Sequence, residues 1–192
     1  MAGSLILTGD VNLMNVTDSA VPFRKIASQL RAADVVFSNL ECCLHLPPRR
    51  SHDNEGFFAD PGIGGEALRL SGIHAVGIAN NVNYGAANIA ASIARLDEIG
   101  ILHTGAGPDL AAARAPVVVS RNGLRVGALQ RSSVYWPTDH EAGTNAPGIA
   151  VIRGHTAYQV PVGRIVPGYP PPNRPGVPPL VVTWADTAYL AE

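Results

Sequence analysis

The chain has 192 residues, of which 46% are hydrophobic, 15% charged and 6% aromatic, and its formal net charge is −1. That length supports one sizeable domain, and the composition is that of an ordinary globular protein. The near balance of charge, with no run of Lys or Arg, argues against nucleic acid or an anionic membrane as a partner. Small phosphorylated or carboxylate ligands stay compatible with the sequence, because a binding site needs only a few local charges.

Neither a membrane segment nor a signal peptide is predicted. No stretch approaches the roughly 20 apolar residues that span a bilayer, and Met1–Ser4 leads straight into an apolar run with no basic region before it. We therefore expect a cytoplasmic protein; the sequence leaves the oligomeric state open. The adjacent Cys42 and Cys43 suit neither a disulfide nor a zinc site, and we expect both to be small buried hydrophobic residues.

Short apolar runs alternate with amphipathic stretches over the first 130 residues, which is typical of an α/β layered fold. Strands are predicted at residues 5–8, 34–38 and 75–79. Helices are predicted at residues 19–32, 61–71 and 86–99, with Gly72 ending the second of them. Two later strands, at residues 117–119 and 124–129, flank Asn122-Gly123, a strong hairpin-turn signal.

The pattern changes in the last third of the chain. Residues 137–180 hold most of the prolines and show neither the helical nor the strand period. Residues 183–192 resemble the first turn of a helix that Asp186 caps. We divide the chain into an α/β domain at residues 1–136 and a Pro-rich irregular segment at residues 137–192. Because that last helix stops after one turn, we expect a fold that is incomplete at its C-terminus.

Polar side chains follow three of the predicted strands. Asp10 follows the first, Asn39 and Glu41 follow the second, and the pair Asn80-Asn81 follows the third. Ligands of open α/β sheets bind beyond the carboxyl ends of the strands, and carboxylate and amide oxygens suit divalent cations. Each cluster alone has a second explanation, because Asp and Asn at strand ends are also common turn formers.

Several motifs in register resemble the CapA family of capsule-synthesis (poly-γ-glutamate) proteins, in the metallophosphatase-like superfamily. They are Gly9-Asp10-Val11-Asn12-Leu13, the run A-D-V-V-F-S-N-L-E at residues 33–41, and the run G-I-H-A-V-G-I-A-N-N at residues 72–81 with Tyr84-Gly85 after it. Shorter matches continue in the same order through Gly123-Leu124-Arg125-Val126-Gly127. The resemblance covers roughly residues 4–130, the N-terminal portion of the family pattern.

The resemblance implies a layered, calcineurin-like α/β fold that binds divalent metal ions such as Mn, Fe or Zn. Carried over by position, Asp10, Asn39, Glu41 and Asn80 become metal-ligand candidates, and Asn81 becomes a catalytic candidate. The implied function is that of a metal-dependent hydrolase or transferase in capsule or poly-γ-glutamate synthesis. Its implied substrate is small and phosphorylated, or resembles poly-glutamate.

The chain also departs from the family pattern. Val82 stands where the family usually has His after the paired Asn, and the His-Trp-Gly and Gly-His-x-x-His elements of the family's second half are not in this sequence. Among the six histidines, loop placement favours His45 and His155 as replacement ligands. The departures support two competing hypotheses: a non-catalytic module that binds a ligand or partner, or a truncated fragment.

Arg131 is a second catalytic candidate, because its guanidinium could hold a phosphate or carboxylate bidentately. Tyr135 or Trp136 could then pack against the ligand. The equally weighted alternative is that these two aromatic residues anchor the start of the Pro-rich segment.

Overall fold

The computed structural model describes residues 3–47, 57–159 and 180–191. The chain forms two compact units, Met1–Val151 and Ile152–Glu192. The predicted polar loop after Pro47, with His52, and the proline-rich residues 160–179 lie outside the described residues.

Strands and helices alternate through the first unit, which confirms the predicted α/β class. The strands are β1 (Leu5–Val11), β2 (Val35–Leu40), β3 (Ala75–Gly77), β4 (Leu102–Thr104), β5 (Ala106–Gly107), β6 (Val117–Arg121), β7 (Leu124–Ala128) and β8 (Gly148–Ile149). The helices are α1 (Ala27–Ala32), α2 (Pro61–Ser71), α3 (Ala86–Glu98) and α4 (Leu110–Arg114).

Four parallel strands form the central sheet in the order β1-β2-β3-β4. Each connection carries one helix, and right-handed crossovers in a sheet of sequential order place α1, α2 and α3 on the same face. Neighbouring helices pack on each other. The core under them includes Leu68 of α2 and Ile89 and Leu96 of α3, which are all fully buried. Parallel strands with consecutive crossovers bring all their carboxyl ends to one edge, where the predicted site residues lie.

The antiparallel hairpin β6–β7 forms a further layer. Val119 of β6 packs with Val35 of β2 and Ala75 of β3 in one buried cluster. The turn is the predicted Asn122-Gly123 pair, with φ angles of 51° and 80°, as a type I′ turn requires. Asp34, just before β2, accepts a hydrogen bond from Asn122 Nδ2 at 2.7 Å, which ties the turn to the sheet.

Local signals explain where α2 begins and ends. Asp60 accepts a hydrogen bond from Ile63 N at 2.8 Å as the N-cap, and Pro61 occupies the first helical position. Gly72 follows in the left-handed conformation with φ 90°. The helix predicted at residues 19–32 is shorter: residues 20–26 form successive turns, and α1 begins only at Ala27. Hydrogen bonds from Arg24 N to Val21 O and from Ile26 N to Phe23 O close these turns three residues back.

The second unit contains β9 (Gly154–Gln159), β10 (Leu180–Ala185) and α5 (Thr187–Leu190). β9 and β10 pair in antiparallel register. Residues 183–185, predicted to open a helix, belong to β10. Asp186 caps the helix as predicted, accepting a hydrogen bond from Ala188 N at 2.9 Å.

Two predictions from composition can be compared with the structure. Cys42 and Cys43 are free and fully buried, as expected, and burial raises their pKa values to about 11 and about 12. Among the described residues, no helix has the length and apolar character needed to cross a membrane.

Candidate functional site

Asn39 lies at the centre of the polar cluster at the carboxyl ends of the strands. Its amide nitrogen donates to Asp10 Oδ1 at 2.7 Å and to Glu41 Oε2 at 2.5 Å. Asp10 pairs with Asn39 in the register of β1 and β2, just after an irregularity between Leu7 and Asp10. The structure therefore brings both predicted carboxylates onto one neutral amide group.

The amide oxygen of Asn39 is also hydrogen-bonded to neighbouring side chains. Its Oδ1 accepts hydrogen bonds from Asn80 Nδ2 at 3.1 Å and from Gln130 Nε2 at 2.9 Å. These acceptor contacts fix which end of the Asn39 amide carries the oxygen, because only the nitrogen can donate to carboxylates. The nitrogen consequently faces Asp10 and Glu41.

Asn80 is buried, and every polar atom of its side chain is occupied by protein. Besides its bond to Asn39, its Nδ2 donates to Leu40 O at 2.9 Å. Its Oδ1 accepts from the backbone nitrogens of Val82 and Asn83 at 3.2 and 3.0 Å. Asn80 thus combines the two roles raised from the sequence: it is part of the cluster, and it also stabilises a turn.

Gln130, which follows β7, is a site residue that sequence reasoning missed. Its Oε1 accepts from Ala79 N at 2.8 Å while its Nε2 reaches Asn39. The side chain fits because β3 ends in Gly77, where a Cβ atom would overlap Gln130 Oε1. No motif marks this position, and only the three-dimensional packing of the hairpin β6–β7 brings it to the sheet edge.

His140 is the imidazole that contacts the cluster. Its Nδ1 accepts a hydrogen bond from Trp136 N at 2.9 Å, so the proton of the neutral ring resides on Nε2, which donates to Asn80 O at 3.1 Å. Burial lowers the pKa of His140, which keeps the ring neutral. Both ring nitrogens are occupied, and the ring supports the loop of Asn80 instead of offering a lone pair to a ligand.

The sequence favoured His45 and His155 as replacement metal ligands, and the structure places neither of them in a described contact with the polar cluster. His155 lies in the second unit with Nε2 at 3.4 Å from Asp186 Oδ2. His45 is half-buried in the segment after Glu41.

The contacts described for the two predicted catalytic residues, Asn81 and Arg131, are with backbone groups and an indole N–H, and none of them is with the side chain of Asn39. The carbonyl oxygen of Asn81 accepts from Trp136 Nε1 at 3.0 Å. The guanidinium of Arg131 donates to Gln130 O at 3.2 Å and to Arg114 O at 3.0 Å. Trp136 also meets Tyr84 edge-on with ring centroids 6.3 Å apart, which supports its alternative role as an anchor of the following segment.

The electrostatics of the carboxylate pair differ from those of isolated side chains. Burial, followed by the neighbouring negative charge of Asp10, raises the pKa of Glu41, and the hydrogen bond from Asn39 opposes this shift. Asp10 Oδ2 and Glu41 Oε1 receive no hydrogen bond from the part of the chain that the structure describes. A cavity of about 270 Å³ opens beside Asp10 and is also lined by apolar residues such as Phe23 and Leu30.

The donor atoms decide which cation suits this cluster. Within residues 3–47, 57–159 and 180–191, no three His, Cys, Asp or Glu side chains come together as a metal-binding group. Tetrahedral zinc sites use three or four mainly nitrogen and sulfur ligands, which this cluster does not present. Two carboxylates with free oxygens fit a hard cation such as Mn²⁺ or Mg²⁺, which retains much of its water shell.

One comparison with known proteins gives a match. A family model described as "Bacterial capsule synthesis protein PGA_cap" matches residues 3–159. The match includes the parallel sheet, the hairpin β6–β7 and every residue of the polar cluster. No curated protein sequence matches the chain.

Proposed function

The chain belongs to the family of bacterial capsule synthesis proteins, and on that premise we propose that it acts on a capsule polymer or its precursor as a metal-dependent hydrolase or transferase. The substrate class proposed is small and phosphorylated, or a poly-γ-glutamate-like chain. Asp10 and Glu41 would hold a divalent cation, preferably Mn²⁺, at the carboxyl ends of β1 and β2. When bound, such a cation polarises a phosphoryl or carbonyl oxygen and activates water.

One observation carries this proposal: two carboxylates share a single neutral donor, and each has one oxygen that receives no hydrogen bond from the described residues. Burial raises the pKa of Glu41, and the like charge of Asp10 adds to this shift, so the two carboxylates destabilise each other when both are ionised. A cation held by Asp10 and Glu41 would offset that repulsion. Arrangements that cost stability are typical of functional sites.

The remaining polar residues of the cluster support these two carboxylates. Asn39 orients both through its amide nitrogen, and Asn80 and Gln130 hold Asn39 in turn. The cavity beside Asp10 gives a substrate access to one end of the cluster.

Metal content after purification tests the proposal, measured by inductively coupled plasma mass spectrometry. We expect near-stoichiometric divalent metal in the wild type and its loss in Asp10→Ala/Glu41→Ala. The matched control is Asp97→Ala/Glu98→Ala, which removes two exposed carboxylates of α3 and should leave the metal content unchanged. A metal-free wild type whose melting temperature does not rise with Mn²⁺ or Mg²⁺ contradicts the hydrolase proposal.

A second candidate is a non-catalytic module that binds a ligand or a partner. The observation that favours it is the Asn39 amide nitrogen, which already satisfies one oxygen of each carboxylate with a neutral donor. On this hypothesis the cluster stabilises the sheet edge, and the metal measurement gives the negative result described above.

A further inference from the structure

A cavity of about 540 Å³ lies at the opposite edge of the parallel sheet, by the amino ends of β3 and β4. Its charged and titratable lining residues are Arg31 at the end of α1, Arg69 at the end of α2, His74 just before β3 and Arg121 at the end of β6. Among the lining residues that the structure describes, none is acidic. The cavity is therefore a concentration of positive charge in a chain whose total charge is near zero.

The position of Arg31 is set by its neighbours. Its Nη1 donates to Leu70 O at 2.6 Å. Its side-chain stem packs over Gly72, where a Cβ atom would come within 2.6 Å of Arg31 Cγ. The left-handed glycine that ends α2 thus also provides the space that holds this guanidinium at the cavity.

His74 contributes a hydrogen-bond donor to the cavity, and one backbone contact determines which ring nitrogen carries the proton. Its Nδ1 accepts the backbone N–H of Val36 at 3.0 Å, so the proton of the neutral ring is on Nε2. The Nε2–H group donates no hydrogen bond to the described residues. Burial, and secondarily the charge of Arg121, lowers the pKa of His74, which keeps the ring in this neutral, donating form.

Two of the three guanidinium groups form no ion pair with a carboxylate of the described residues. Arg69 is paired with Glu66, with Nη2 to Oε1 at 2.6 Å, so its charge is largely compensated. The side chain of Arg121 is exposed and makes no hydrogen bond or ion pair with the described part of the chain. Its charge is nevertheless felt by Asp34, where it is the smallest of the causes that lower the pKa of that carboxyl group. Arg31 has only its bond to a backbone carbonyl. Arg31 and Arg121 come from two different elements and line the same cavity as His74.

We propose that this cavity is a second binding site, separate from the carboxylate cluster, and that its ligand is the phosphate group of a small molecule. Phosphate is tetrahedral, carries between one and two negative charges at neutral pH, and accepts hydrogen bonds from several directions. That matches donors that arrive from α1, β6 and the start of β3. A planar carboxylate would use one guanidinium fork and leave the other donors unsatisfied. The volume accommodates a phosphate ester as well as the free ion.

Isothermal titration calorimetry at constant ionic strength tests this site with three probes: inorganic phosphate, glycerol phosphate and the dicarboxylate glutarate. We expect wild-type protein to bind both phosphate probes more tightly than glutarate. Arg31→Gln/Arg121→Gln should weaken phosphate binding by a factor of about ten or more, since charge-assisted hydrogen bonds to two guanidiniums are lost. The matched control Arg24→Gln/Lys25→Gln removes two exposed charges outside the cavity and should bind phosphate as the wild type does.

The single variant Arg121→Gln separates loss of binding from loss of folding, because the Arg121 side chain makes no hydrogen bond with the described residues and the substitution leaves the backbone pairing with Leu124 in place. It should retain the wild-type circular dichroism spectrum and still weaken phosphate binding. In the wild type, phosphate should shift the NMR resonance of His74 Nε2. Asp10→Ala/Glu41→Ala should bind phosphate normally, so this test is independent of the metal proposal. Equal phosphate affinity in the wild type and Arg31→Gln/Arg121→Gln, or preference for glutarate, overturns the proposal.

Discussion

A neutral side chain sets the electrostatics of the strand-end cluster. Asn39 donates to both Asp10 and Glu41, yet adds no positive charge to offset theirs. An arginine or lysine in that place would form an ion pair and lower the pKa of Glu41. Burial, followed by the charge of Asp10, raises the pKa of Glu41 in spite of the hydrogen bond from Asn39, so the metal-free fold carries an electrostatic cost at neutral pH.

We predict that Glu41→Gln stabilises the metal-free protein at pH 7. The raised folded-state pKa means that the wild type loses stability as the pH rises from the unfolded value of 4.5 through the folded-state pKa. Gln keeps an oxygen for Asn39 but has no charge. Removing one like-charge interaction of about 0.5 kcal/mol should raise the Tm by about 1–2 °C.

Thermal unfolding in a chelator at pH 7 and pH 4 checks this prediction. The Tm of Glu41→Gln should exceed that of the wild type at pH 7. The two Tm values should be nearly equal at pH 4, where Glu41 is protonated. The control Glu98→Gln removes a carboxylate paired with Arg95 at 2.6 Å and should not raise the Tm. A lower Tm for Glu41→Gln at pH 7 would show that the charge of Glu41 is satisfied without metal.

The side chains of the cluster differ in how readily the sequence identifies them. Asp10, Asn39, Glu41 and Asn80 directly end or follow predicted strands, so short-range spacing and the family motifs were enough. Gln130 is 91 residues from its partner Asn39, and its role depends on packing across the sheet. The roles predicted for Asn81 and Arg131 stay predictions, because hydrogen-bond geometry alone does not test catalysis.

At the scale of elements, β3 and the hairpin β6–β7 meet through one glycine and one glutamine. Gly77 leaves space for Gln130, which bonds to the backbone at Ala79 and to the side chain of Asn39. The hairpin therefore does more than cover the sheet, because it also supplies a hydrogen-bond donor to the cluster.

We predict that Gly77→Ala destabilises the protein by about 2 kcal/mol. The added methyl group overlaps Gln130, and both overpacking and the loss of the hydrogen bond to Ala79 N carry costs of this size. The control is Gly127→Ala in β7, where a Cβ atom would meet nothing within 4 Å and the change should stay within about 0.5 kcal/mol.

Urea denaturation of the two glycine variants measures this difference. If Gly77→Ala is as stable as Gly127→Ala, then Gln130 does not hold the position described here. A metal measurement on Gly77→Ala adds a second reading, since displacing Gln130 should also loosen Asn39 and weaken any cation binding at Asp10 and Glu41.

Elements with local start and stop signals were predicted accurately. Residues 61–71 form α2 as expected because Asp60, Pro61 and Gly72 mark its two ends. Residues 19–26 carry helical spacing but form turns, and residues 183–185 join a strand through pairing with β9. In the second case a long-range partner decided the structure, which local periodicity does not reveal.

At the scale of the whole molecule, the buried hydrophobic residues of the described chain all lie between Leu13 and Val151. This span coincides with the first compact unit. Residues 137–151 contribute to it, through the pairing of β8 with β5 and through His140.

We therefore predict that a variant comprising residues 1–151 folds cooperatively by itself. Its free energy of unfolding should lie within about 1 kcal/mol of the value for the full chain, since the same apolar side chains are buried. Chemical denaturation followed by both fluorescence and circular dichroism measures this. Separate transitions for the two probes, or an unfolded product, would show that residues 152–192 are required for the core.

The contact between Gln130 and Asn39 also has a consequence for the order of folding. The strands β1, β2 and β3 can align through neighbouring crossovers, but the cluster stays incomplete until a residue 91 positions away docks against Asn39. Closing a loop of that length costs conformational entropy, and the stabilising free energy of the contact is gained only after the loop has closed. We expect the binding centre to be the last part of the sheet edge to form, so that cation binding during refolding reports the final docking of the hairpin.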